Sequence, residues 1–170
     1  MADLNDLEKG VWSSKLFLAT KLRIYNVCVV AGLLYAAETW TLTVADMDRL
    51  DAFDTRCLRK ILGIRWYDFI LNVEVPQRTQ QPLASLTLKA CRQAMFGHTA
   101  HLDPSCDTRM ALVGALAPPG DWRKPRGRPR GTWLSTVKND LAPLNVGLAD
   151  AICTARDREK WREITHQATL

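Results

Sequence analysis

The sequence predicts an all-α fold: a helical bundle over residues 1–116, a Pro/Gly/Arg-rich basic linker over 117–131, and a two-helix C-terminal unit over 132–170. Three observations predict it. Apolar residues recur at three- and four-residue steps in several separate stretches. Helix-start and helix-stop residues bracket those stretches. No segment alternates apolar and polar residues in the manner of a half-buried strand.

Residues 1–12 carry little pattern. Ser13 or Ser14 is placed to cap a first helix reaching about Ala37, with Leu18, Leu22, Tyr25, Val29 and Leu33 on one stripe. After Val27 this helix is apolar all round, which predicts a central, buried position. Thr43 followed by Asp46 forms a capping-box pattern for a second helix, with Met47, Leu50, Phe53, Cys57, Leu58 and Ile61 on its apolar face. The first half of that helix is acidic and the second basic, an order that suits the helix macrodipole, and Gly63 is its stop.

Beyond it, residues 66–75 read as a turn and a short helix ended by Pro76, followed by polar loop to Gln81. Pro82 opens a helix running to about His101, and residues 107–116 form a shorter one. After the linker, Thr132 caps a helix bearing Trp133, Val137 and Leu141, and residues 148–167 form the last.

Composition narrows the class. The 170 residues hold one domain or two small ones, and 47% hydrophobic residues supply a core that a disordered chain lacks. The five cysteines are scattered, odd in number and free of C-x-x-C, which reads as reduced, mostly core-filling thiols in an intracellular protein. An acidic N-terminus gives no signal-peptide pattern. The most apolar run, residues 24–37, is shorter than the roughly 20 residues a membrane span needs, so no membrane partner is expected.

The net charge is +5, and it is unevenly placed. Residues 1–60 carry eight basic and eight acidic side chains, whereas residues 121–170 carry ten and six. Most of the excess lies in Arg123, Lys124, Arg126, Arg128 and Arg130, a run with no acidic residue. Pro125 and Pro129 exclude a regular helix, and Gly127 lets the backbone come close to a partner. An extended cationic ribbon of this kind suits a phosphate backbone. Pro-Arg-Gly-Arg-Pro is also the form of an AT-hook core, which lies in a narrow minor groove. The bland alternative is a solvated linker. Trp133 is either a base-stacking ring or the first core residue of its helix.

A second set of cations, Lys21, Arg23, Arg56, Arg59 and Lys60, lies on the first two helices, and the bland alternative for it is solvated faces balanced by four nearby aspartates. Asp46, Asp48, Asp51 and Asp54 are spread over more than two turns and read as a solvated helix start. Cys91, His98, His101 and Cys106 lack the short, regular spacing of zinc ligands. His98 is expected to pack beside Gly97 or to bond a backbone carbonyl. No catalytic constellation, cofactor motif, metal site or small-molecule site is expected.

Several blocks, in order, carry a resemblance. TKLRIYNVCVVAGLLYAAETWTLT (residues 20–43) is similar to the segment after the polymerase palm of LINE-type (non-LTR) retrotransposon endonuclease–reverse transcriptases. LDAFDTRCLRKILGIRW (residues 50–66), then Asn72, Glu74 and Val75, then Gly97 and His98, resemble that family's next elements. GRPRGTWLSTVKNDL (residues 127–141) and RDREKWR (residues 156–162) look like its C-terminal signatures. The resemblance spans residues 15–168 and implies a thumb-like bundle with the region that follows it. No Tyr/Phe-x-Asp-Asp is present, and that pair holds a polymerase's catalytic metals. The resemblance therefore implies DNA or RNA handling in a nuclear or cytoplasmic ribonucleoprotein, with both cation sets on phosphate, but no polymerisation. The rival expectation is a small all-α protein–protein interaction module derived from a retroelement.

Overall fold

A computed structural model describes residues 8–118, 120–121, 123, 126–127 and 131–167. All regular structure among these residues is helical, so the fold is all-α. The chain divides into two compact units, Met1–Ala37 with Leu42–Leu88, and Glu38–Thr41 with Lys89–Leu170. The division thus falls inside a helix, whereas the sequence places it at the 117–131 linker.

In the first unit, α1 (Leu18–Tyr25) continues through a π-helical turn, Asn26–Val30, into α2 (Ala31–Leu33). The serines do not cap it. Ser14 Oγ donates instead to Val11 O at 2.6 Å, and Phe17 stands at the N-cap without a side-chain bond. Nor is the rod central. Leu22 and Tyr25 are buried, but Val27, Cys28 and Tyr35 are exposed. With one long helix to pack against, a rod apolar all round covers only one stripe.

That long helix is α3 (Val44–Leu62), and both its ends follow local chemistry. Thr43 Oγ1 accepts from Asp46 N at 3.3 Å, while Asp46 Oδ2 accepts from the Thr43 N–H and O–H. Gly63 closes it at φ 69°, a left-handed conformation glycine adopts without penalty. Cys57, Leu58 and Ile61 join Trp12, Leu22, Tyr25 and Val75 in the core, where Trp12 meets Tyr25 edge-on at 6.4 Å.

The short helix α4 (Glu74–Thr79) contains Pro76 in its first turn rather than ending there. A missing N–H costs nothing at that position, because first-turn amides have no intrahelical acceptor. Residues 77–79, expected in a polar loop, are therefore helical.

The aspartates of α3 hold the start of α5 (Ala84–His101). Asp54 Oδ2 accepts from Ala84 N at 3.2 Å, and Asp51 accepts from Ser85 N at 2.9 Å and Ser85 Oγ at 2.7 Å. Asp54, read from sequence as solvated, is buried and also receives the Tyr25 hydroxyl. Burial pushes its carboxyl above the usual carboxylate range, against the pull of the Tyr25 and Ala84 bonds. Burial and the neighbouring Asp54 raise the Tyr25 phenol as well.

The second unit adds α6 (Asp107–Leu116), α7 (Trp133–Leu141), α8 (Leu148–Ala155) and α9 (Arg158–Gln167). The expected last helix is two. Asp157 Oδ1 accepts from Glu159 N and Lys160 N, starting a new helix where the old one ends. Thr132 caps α7 as its sequence predicts, accepting from Ser135 N at 3.2 Å. Phe96 and Ala100 of α5 and Leu112 of α6 share a core with Val137, Leu141, Ala151, Ala155 and Trp161. This shared core is why residues 89–116 group with the C-terminal helices.

A buried ion pair lies in this unit. Arg92 is 1% exposed, and its Nε and Nη2 each approach Asp140 Oδ2 at 2.8 Å. Its Nη1 donates to Trp40 O at 3.2 Å. Trp161 Nε1 donates to Gln93 O at 2.9 Å, and its ring lies over Gly97.

Candidate nucleic-acid interface

The ribbon grows out of the second unit between the end of α6 and the Thr132 cap of α7. Of its five predicted cations, Arg123 and Arg126 are described. Both are exposed, and neither pairs with a carboxylate among the described residues. Lys124, Arg128 and Arg130 lie outside the described residues. Gly127 stands at φ 123° with open space around its α-carbon. An L side chain there would strain the backbone, so the glycine serves the ribbon's own path as well as any groove.

Trp133 belongs to the protein body. Its Nε1 donates to Glu38 O at 2.7 Å, and its ring packs 6.3 Å from Phe96. Beside it lies an open cavity of about 420 Å³, lined by Met95, Leu112, Trp133, Leu134 and three threonines among others. No lining residue is titratable, so the cavity offers shape and hydroxyls but no acid or base.

The second cation set belongs to the first unit, and its members differ. Arg23 and Arg56 are exposed and make no ion pair with a described carboxylate. Lys60 is exposed and has an interaction within the fold. Lys21 is half-buried with Nζ donating to Trp12 O at 2.6 Å, and Arg59 Nη1 donates to Ile70 O at 2.8 Å. These two cations therefore already hold backbone within their own unit.

The four aspartates counted against this set also differ. Asp51 and Asp54 are engaged at the start of α5, and Asp46 is held below the usual carboxylate range, chiefly by the Thr43 hydroxyl.

Sequence reading passed over the segment between α3 and α4. Trp66 is 84% exposed and Phe69 87%, and Tyr67 is exposed beside them. The signal was available, since Arg65 is followed by three rings within four residues, Trp66, Tyr67 and Phe69. Of the residues weighed as zinc ligands, His98 is exposed without a hydrogen bond among the described residues, rather than on a carbonyl. Among the described residues no three His, Cys, Asp or Glu side chains converge on a point. Cys57 is the one fully buried cysteine, while Cys28 and Cys153 are exposed, so fewer thiols fill the core than expected. No described helix is long and apolar enough to cross a membrane.

Comparison with known proteins returns no match: no family model, curated protein or solved structure resembles the chain closely enough to be assigned to it.

Proposed function

We propose that the chain is a non-catalytic nucleic-acid-binding part of a LINE-type reverse transcriptase polyprotein, holding a template or target backbone through its basic ribbon. The observation that carries this reading is the exposure of Arg123 and Arg126 without a described carboxylate partner. A guanidinium in that state is available to form charge-assisted bonds to phosphate. The order and spacing of the sequence blocks support the parentage. Contacts of this kind position a backbone and read few bases.

Binding measured against salt tests it. With all five ribbon cations on phosphate, log K falls against log salt with a slope of about −4 to −5. Replacing the five cations with Ser or Gln abolishes binding. A slope near zero, or no binding at about 50 mM salt, overturns the reading.

A second reading, a helical protein–protein interaction module, is favoured by one observation. Phe17, Val27, Tyr35 and Val44 of the first unit are exposed large apolar side chains, the residue type that protein contacts draw on. A protein partner retained by the ribbon-neutralised variant separates it from the first.

A further inference from the structure

The segment that follows α3 holds aromatic rings in water on a fixed backbone. Ile64 and Ile70 pack against the core of the first unit at its two ends. Between them Asp68 Oδ2 accepts from Arg65 N at 2.6 Å, and Asp68 N returns a bond to Arg65 O at 3.1 Å. Arg59 grips the far end through Ile70 O, at 2.8 Å. Trp66 and Tyr67 meet edge-on at 5.6 Å, and the Arg65 guanidinium lies 6.0 Å from the Tyr67 ring centre. Phe69 sits at φ 51°, where a bulky residue is seldom found. Backbone strain of this kind persists only when its surroundings over-determine it. The exposure of the rings therefore belongs to a built turn.

Cations outnumber acids along the chain leading into the rings. Arg56, Arg59, Lys60 and Arg65 stand in residues 56–67 with no carboxylate among them. One acid, Asp68, stands between Tyr67 and Phe69, with its carboxylate on the Arg65 amide. Rings among cations suit a polyanion that also has flat apolar faces, and unpaired nucleic acid is such a molecule.

We infer that this turn is a stacking platform for unpaired bases, with Trp66 and Phe69 as the stacking faces and Arg65 on a flanking phosphate. The inference rests on the reading of the chain as a nucleic-acid binder and adds a preference for single strands. A duplex keeps its base faces covered, so the rings add nothing there.

The test uses the full chain, a Trp66→Ala/Phe69→Ala variant and a Trp66→Phe variant. The probes are oligothymidylate and duplex DNA of about 20 nucleotides, and phosphatidylserine-containing vesicles. The double variant loses at least about fivefold in oligothymidylate affinity per ring, with duplex affinity and thermal midpoint unchanged. Trp66→Phe, which keeps a flat ring, retains most of the affinity. Undiminished oligothymidylate binding by the double variant, in a chain whose ribbon substitutions still abolish binding, overturns the platform alone. Equal losses on single strand and duplex overturn it too. Ring-dependent binding of vesicles but not of oligothymidylate makes the turn a membrane contact. No binding of any nucleic acid at about 50 mM salt overturns platform and parent reading together.

Discussion

The indole of Trp161 rests on Gly97: a β-carbon added at Gly97 would lie 2.1 Å from Trp161 Nε1 and 2.3 Å from its Cδ1. The ring is buried, rigid and tied to Gln93 O, so it has little freedom to give way. Gly97→Ala is expected to destabilise the chain by about 1–3 kcal/mol, as overpacking does. Trp161→Ala is expected to cost about 3–5 kcal/mol through the cavity it leaves. In a double-mutant cycle by urea denaturation the two effects should be strongly non-additive, since the methyl that Gly97→Ala adds meets the indole that Trp161→Ala removes.

Asp54 gives the first unit a pH dependence. Its folded carboxyl titrates above the ordinary value of about 3.9, so between the two values the folded chain holds more protons than the unfolded one. Its contribution is full below that ordinary value and is lost as pH rises through the raised one. Asp54→Asn should flatten this part of the stability profile, read as urea midpoints from pH 4 to 7. Asp46, Asp103 and Asp157 act in the opposite sense: their carboxyls are lowered, so their contribution disappears as the solution is made more acidic. Asp54→Ala leaves the Tyr25 hydroxyl and the Ala84 amide without their acceptor, at roughly 2–4 kcal/mol.

Arg92 and Asp140 form the buried pair of the second unit. Asp140→Ala strands a guanidinium in the core and is expected to cost about 3–5 kcal/mol. Arg92→Met with Asp140→Leu removes both charges and should cost less than either single truncation. Chemical denaturation of Asp140→Ala, Arg92→Ala and the double variant decides it. A double substitution as harmful as the sum of the singles refutes the expected coupling.

Thiol labelling should separate the five cysteines. Cys28 and Cys153 are exposed, whereas Cys57 is buried and its thiol is pushed up by burial and by Asp54. Brief iodoacetamide treatment near pH 7.5, followed by mass spectrometry, should modify Cys28 and Cys153 first and Cys57 last, because reaction needs access and a thiolate.

The fold's legible parts were those set by neighbouring residues. Thr43 with Asp46, Gly63, and Thr132 each act within one helical turn, and the structure places all three as their sequence predicts. Illegible parts depend on residues far apart in the chain. Asp51 and Asp54 look like a solvated acidic face until the start of α5, about 30 residues on, is brought to them. Arg92 looks like one more surface cation until Asp140 closes on it. Gly97 and Trp161 both stood in recognisable blocks, but nothing local says that one is small because the other covers it. The ribbon's exposed arginines were visible as composition alone. The ringed turn was missed because exposure of Trp66 and Phe69 is decided by Ile64 and Ile70, which anchor the backbone on either side.

The inward use of Asp51 and Asp54 changes how α3 looks from solution. Counted along the chain, its acids and bases nearly cancel, and the helix seems electrically neutral. With two carboxylates turned to an amide-rich partner and one of them inclined to keep its proton, the cancellation is nominal. An approaching polyelectrolyte meets a rod with one muted end and one strongly cationic end, and so a direction in which to lie.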